Sequence, residues 1–182
     1  SEKKPRILDF GGASGYILNP FINKFNCNII DYEKWELPKG IIYLGKQLSD
    51  LHTLDKFDVI FILHTLEHIV NPKILIKELF EHLNDNGLLY VEVPLGCFKE
   101  WKYLNDPLTH VNFFSEQSLY NCFKKAGYKI LYLATRYQRV TRAKTWCINI
   151  LGIKNNTTKK QVRKNIQQTN NQMSKLKYYI PY

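Results

Sequence analysis

The sequence predicts an α/β fold built on a parallel, doubly wound sheet. Three observations carry that expectation. Apolar runs of strand length alternate with stretches of helical spacing. A turn of small residues follows the first run at once, in "RILDFGGASGY" (residues 6–16). In "FDVIFIL" (57–63), six of seven residues are apolar, as in a strand covered on both faces.

Taken in order, "RILDF" reads as the first strand, and "GYILNPFINKF" as a helix that Pro20 kinks or shortens. "CNIID" is a second strand ending in an acid, "GIIYLG" a third and "FDVIFIL" the fourth. "NPKILIKELFEHL" is amphipathic, with Ile74, Leu75, Leu79 and Leu83 on one face, and stops near "NDNG". "LLYVEVP" is the fifth strand. Ser115 caps a helix over "SEQSLYNCFKKAGY", with Glu116 in its first turn and Gly127 at its end. Ser118 stands where a capping box would want Glu or Gln, so a full box is not expected. "KILYLAT" and "KTWCINIL" read as two further strands joined by a basic turn. From residue 153 the chain is rich in Lys, Asn, Gln and Thr, with a thin stripe of Val162, Ile166, Met173 and Leu176. It reads as either a docked helix or a disordered arm. The division expected is a domain over 1–152 and a basic extension over 153–182.

The 182 residues suit one domain with an appendage. No run of 18 apolar residues or apolar leader is visible, and a chain opening on Ser1 reads as a piece of a longer protein. Cys27, Cys97, Cys122 and Cys147 form neither a CxxC pair nor a metal spacing with histidine, so they read as reduced packing residues. Together these features point to the cytoplasm. All 16 acids, with 16 of the 26 basic residues, lie within residues 1–137, so the net +10 sits entirely in the last quarter. That asymmetry suits an anionic partner or a solvated basic appendage.

The glycine turn reads either as a bare strand-to-helix turn or as a cofactor cradle. A dinucleotide fingerprint fails in both registers, because Ala13 and Tyr16, or Ser14 and Ile17, stand where glycines are needed. The spacing Asp9-x-Gly11-x-Ala13-x-Gly15 instead resembles the D/E-x-G-x-G-x-G turn of class I S-adenosylmethionine (SAM)-dependent methyltransferases, with alanine for the middle glycine. "FDVIFILHTLEHIVNP" resembles the fourth-strand region of that superfamily, and "HLNDNGLLYVEVP" its helix, glycine turn and fifth strand. "HVNFFSEQSLYNCFKKAGY" is similar to the following segment in the subgroup that holds many small-molecule and sugar methyltransferases.

The resemblance implies a Rossmann-like, seven-stranded, mostly parallel sheet with an antiparallel last strand and helices on both faces. SAM would lie across the carboxyl ends of the first strands, with S-adenosylhomocysteine as product. The cofactor residues implied are Asp9, Gly11, Gly12, Ala13 and Gly15 in the turn, then Asp31 with Tyr32 beside it. An acid at Asp31 suits two ribose hydroxyls, or else forms a turn. Asp50 and Leu51 in "QLSDL" are placed for the adenine, although Asp50 equally suits an N-cap. His64 and Thr65 fall near the methionine part. The chain departs from the family pattern in lacking the usual helix before the first strand and in carrying the basic tail.

Methyl transfer needs a base only where the acceptor has a proton to lose. His110 in "DPLTHVNFF" is the first candidate, histidine being the residue type best suited to proton exchange in neutral solution, with Asp106 placed to orient it. The alternative is a packing histidine. Glu67 and His68 read as structural or cofactor-side, and His52 and His82 as surface residues. No spacing of His, Asp and Glu is convincing for a metal. Phe98, Trp101, Tyr103, Phe113 and Phe114 would wall an acceptor pocket or belong to the core. Arg136, Arg139, Arg142 and Lys144 would meet a phosphate or form a solvated turn.

The function expected is O-methylation of a small polar acceptor: a sugar, nucleotide-sugar, or phosphorylated or phosphoramidate glycan group, as in capsule biosynthesis. N-methylation is the nearest alternative. Nucleic-acid methylation through the basic tail is disfavoured, because "LHTLEH" stands where an Asn/Asp-Pro-Pro-Tyr/Phe motif would be needed. A non-catalytic partner subunit is opposed by the intact turn, Asp31 and His110.

Overall fold

A computed structural model describes residues 4–52, 55–96, 110–140 and 143–154, with backbone alone at 139–140 and 143–144. Five apolar runs become parallel strands: β1 (Arg6–Phe10), β2 (Asn26–Ile30), β3 (Ile41–Gly45), β4 (Phe57–Leu63) and β5 (Leu83–Pro94). β6 (Lys129–Val140) and β7 (Ala143–Ile153) form an antiparallel hairpin, and β7 also pairs antiparallel with β5. The sheet order is β3-β2-β1-β4-β5-β7-β6, so β7 alone runs against its neighbours. Strand order reverses between β1 and β4, and an open α/β sheet offers its ligand crevice at the carboxyl edge there.

The two α-helices, α1 (Pro72–Glu81) and α2 (Glu116–Ala126), share one face. Leu75, Ile76, Leu79, Leu119 and Phe123 pack there against Leu8, Ile60, Ile62, Leu89, Val91, Val93, Ile148 and Ile150. The opposite face is covered by a 3-10 helix over Tyr16–Phe21, whose Leu18 and Phe21 meet Ile7, Ile29 and Phe61. β4 feeds both layers, as its continuous apolar run requires.

Several elements differ from the sequence reading, each for a local reason. The stretch after the glycine turn winds only the 3-10 helix, with Pro20 inside it, because proline removes a helical donor. In α1 the buried face is Leu75, Ile76 and Leu79, while Ile74 is 54% exposed. Leu83 belongs to β5, which starts early and absorbs "NDNG" in a register shift between Phe57 and Val59 of its partner strand. β6 and β7 outrun their apolar cores because each supplies the other's ladder. The Ser115–Ser118 pair does make a reciprocal box. Ser115 Oγ accepts from the Ser118 amide at 3.1 Å, and Ser118 Oγ accepts from the Ser115 amide at 3.0 Å.

Cys27, Cys122 and Cys147 are free and buried. Residues 155–182 and Cys97 lie outside the described residues. Among the described residues no helix is long and apolar enough to cross a membrane. Replacing Ser115 with Ala should cost about 1 kcal/mol of stability through loss of the α2 cap, read as a lower urea midpoint at unchanged slope.

Candidate active site

The β1–β2 turn is shaped by contacts that exclude side chains. Gly11 has φ +78°, and a Cβ there would fall 2.2 Å from Thr65 Oγ1. Gly12 lies over Asp9, whose carboxylate oxygen would be 2.5 Å from an added Cβ. Gly15 has φ +72°, the left-handed region that glycine enters at no steric cost. Ala13 also adopts a left-handed φ of +44°. Its amide donates to Asp31 Oδ2 at 2.8 Å, so the carboxylate that ends β2 holds the turn directly. Asp31 Oδ1 accepts from the Glu33 amide at 3.0 Å and from Trp35 Nε1 at 3.4 Å.

Asp9 is buried, and among the described residues its Oδ2 has no hydrogen-bond partner. Burial first, then the nearby Asp31 charge, pushes its carboxyl up to about 7. A cationic or hydrogen-bond-donating ligand in the turn would relieve both costs. This orphaned oxygen, and a cradle in which Cβ atoms at Gly11 and Gly12 would clash, fit the amino-acid end of SAM. No step of the chemistry depends on Asp9.

The other expected cofactor residues divide. Thr65 reaches the turn, its hydroxyl 3.4 Å from the Gly11 carbonyl and 3.1 Å from that of Leu63. Tyr32 is 81% exposed, with Lys46 Nζ 5.7 Å from its ring centroid. Asp50 closes its own turn as the third residue of the 3-10 helix Leu48–Asp50, Oδ2 accepting from the Lys46 and Gln47 amides at 2.7 and 3.2 Å; the N-cap is Gln47, so Asp50 is not the cap that the alternative reading expected. Leu51 is buried in the main core. His64 sits at φ +50°, and its imidazole turns toward β5, with Nε2 2.8 Å from Glu92 Oε1 and Nδ1 3.7 Å from Glu67 Oε1. Burial opposes its charge, but contacts to Cys147, Glu67 and Glu92 outweigh burial and hold its pKa up to about 11. Burial likewise opposes the Glu92 charge, yet the His64 contact leads a set that holds that carboxyl below its ordinary range. The pair is therefore ionised at neutral pH. Tyr90 extends it, donating to Asn149 Oδ1 at 2.6 Å and to Glu92 Oε2 at 3.4 Å.

His110 lies at the same carboxyl edge, half-buried, after β5. The Val111 and Asn112 amides both donate to the Glu67 carbonyl at 3.0 Å, binding this segment to the 3-10 turn Leu66–His68. The His110 and His68 rings stand 4.7 Å apart, edge to face. Asp106, its expected orienter, lies outside the described residues, as do Phe98, Trp101, Tyr103 and Arg142 and the side chains of Arg139 and Lys144. Phe114 is core, Phe113 is 41% exposed, and the Arg136 guanidinium lies 5.3 Å from the Tyr132 ring centroid on β6. Sequence reasoning missed Glu92 altogether. Its one signal was an acid inside an otherwise apolar strand.

This fold and this cradle are those of a nucleotide-binding α/β protein of the methyltransferase type. A family model described as a methyltransferase domain matches residues 1–133, and the chain belongs to that family, the class I SAM-dependent methyltransferases. The ubiquinone biosynthesis O-methyltransferases of Rickettsia typhi and Rickettsia prowazekii are each 28% identical over 99 residues, 48% of this chain. The matches span only 40% and 39% of those proteins. Among solved structures, a SAM-dependent methyltransferase from Methanosarcina mazei superposes with TM-score 0.66 at 18% identity, over 84% of this chain and 93% of that one. The 1,6-didemethyltoxoflavin-N1-methyltransferase of Burkholderia thailandensis, solved with S-adenosylhomocysteine, gives 0.66 at 13% identity over 85% and 72%.

Asp9 yields a pH test. A carboxyl raised in the folded state contributes stability that is complete below its unfolded pKa of 3.8 and is lost as pH rises through about 7. Asp9→Asn should remove this loss, so its stability relative to wild type should improve between pH 5 and pH 8 by a few kcal/mol, read by urea denaturation without ligand. Glu92→Gln should instead destabilise at pH 7 by roughly 3 kcal/mol, because it strands the His64 charge.

Proposed function

We propose that this chain transfers a methyl group from SAM to an oxygen of a small polar acceptor. The observation that carries the reading is the cradle: Asp31 tied to the Ala13 amide at 2.8 Å, with an orphaned Asp9 oxygen beneath Gly12. SAM, when bound, supplies an electrophilic methyl on a sulfonium whose bond breaks toward sulfur, leaving S-adenosylhomocysteine. Gly11, Gly12, Ala13, Gly15 and Thr65 would hold its amino-acid end, and Asp31 its ribose. Positioning then supplies much of the rate.

Oxygen as the acceptor atom is supported by His110, a group able to accept the hydroxyl proton at the carboxyl edge beside buried Glu67. The O-methyltransferase relatives point the same way. Within that class the acceptor proposed is a sugar, nucleotide-sugar or phosphorylated glycan. The half-exposed Phe113 supports ring stacking, and Arg136 supports an anionic group.

Calorimetric titration with SAM and S-adenosylhomocysteine should show micromolar binding to the wild-type chain and its loss in Asp31→Ala. Absence of binding to wild type would overturn the reading. With an acceptor found among sugar, nucleotide-sugar and phenolic candidates, His110→Ala should lower kcat by about 10²–10⁴ while leaving SAM affinity intact.

A further inference from the structure

One buried charge is left unexplained by the cofactor cradle. Glu67 is 1% exposed, and among the described residues its Oε2 has no hydrogen-bond partner. A carboxylate that far from water is costly unless a cation or donors compensate it. Two cationic or ligating groups stand beside it. His68 follows in the same 3-10 turn, its Nε2 3.9 Å from Glu67 Oε1. His110 is delivered from across the edge by the two amides bound to the Glu67 carbonyl. One ligand atom from each of Glu67, His68 and His110 lies within 4.8 Å of the other two. The further cation nearby, His64, approaches Oε1 at 3.7 Å but has its other nitrogen committed to Glu92 at 2.8 Å.

We propose that Glu67, His68 and His110 bind one divalent transition-metal ion of the Zn²⁺, Co²⁺ or Mn²⁺ class. Two imidazoles and one carboxylate are borderline donors that suit such ions better than the all-oxygen shells of Mg²⁺ or Ca²⁺. Metal–ligand bonds of about 2 Å bring ligand atoms roughly 3 to 4 Å apart, so the three groups need close by only about 1 Å. Of the three, His68 is the most exposed, at 38% of its side chain, and Glu67 is buried. Three protein ligands leave positions open for an oxygen ligand at the edge where the acceptor is proposed to enter. Any part in transfer rests on that proposed function: an ion-bound hydroxyl would be more acidic and would lose its proton to water, whereas without the ion His110 takes that proton itself. The second three-donor cluster, His64, Glu92 and Cys147, is less suited, because His64 and Glu92 already satisfy each other. The proposal departs from the expectation that no spacing of His, Asp and Glu is convincing for a metal. Adjacent Glu67 and His68 gave no spacing signal, and their third partner arrives through backbone contacts.

The test is a Co²⁺ titration of the full chain, stripped with chelator and followed by its visible spectrum. One equivalent should bind, giving ligand-field bands without a thiolate-to-cobalt charge-transfer band. His68→Ala and His110→Ala should each weaken binding at least about tenfold, with His52→Ala unchanged and the folding of each variant confirmed by circular dichroism. No saturable uptake, uptake indifferent to both histidine variants, or a charge-transfer band placing the ion on Cys147 would overturn the proposal. SAM calorimetry on the same sample separates the two readings. Lost SAM binding with intact cobalt binding sinks the proposed function alone, and the reverse sinks the metal site alone.

Discussion

The carboxyl edge of this sheet depends on one contact, that of the Thr65 side chain with the bare backbone of Gly11. The end of β4 lies against the turn that leaves β1, with no room for even a methyl group between them. Because β1 and β4 are neighbours across the point where strand order reverses, that contact fixes how wide the crevice opens. It also sets the path of the chain beyond Thr65. The 3-10 turn carrying Glu67 and His68 starts at once, and its carbonyl captures the backbone beside His110. Turn, cradle and candidate base are thus registered through a single steric fit.

Electrostatics works in the opposite direction, since this edge holds more buried acid than it can neutralise. Asp9 and Asp31 face the same turn, and only Asp31 is satisfied, by backbone amides and an indole. Glu67 and Glu92 share one imidazolium, His64, which lies much closer to Glu92. A protein interior optimised for stability alone would replace such groups with apolar ones. They cluster where the ends of β1, β2, β4 and β5 converge, with one oxygen each of Asp9 and Glu67 unpartnered among the described residues.

Much of this was legible in the sequence because it depends on local rules. The run "FDVIFIL" announced a strand covered on both faces, and β4 feeds both cores. The small-residue turn announced close backbone approach, and an acid at the end of the second strand announced Asp31. The features that escaped depend on pairing between distant segments. Glu92 meets His64 only because β5 lies beside β4, and Tyr90 finds Asn149 only because β7 returns antiparallel along β5. In α1 the buried stripe is Leu75, Ile76 and Leu79, so Ile76 takes the place read for Ile74, and Leu83 falls in β5. The long hairpin β6–β7 was underestimated, since its polar ends are held by mutual hydrogen bonds rather than by burial.

The last described residue has a consequence for geography. Lys154 is locked in place at the amino end of β5. Its amide donates to the Gly87 carbonyl, its own carbonyl accepts from the Asn86 amide, and its ammonium donates to the Phe80 and Leu83 carbonyls. β7 delivers it there by running opposite to β5, pairing Ile153 with Leu88 while Cys147 pairs with Pro94 at the catalytic edge. Lys154 is therefore a mooring on the far shore of the sheet, separated from the carboxyl edge by about six residues of strand, or roughly 20 Å. The two ends of the sheet are thereby held by different means, the Lys154 ammonium on two carbonyls at one and the close fit of Thr65 on Gly11 at the other.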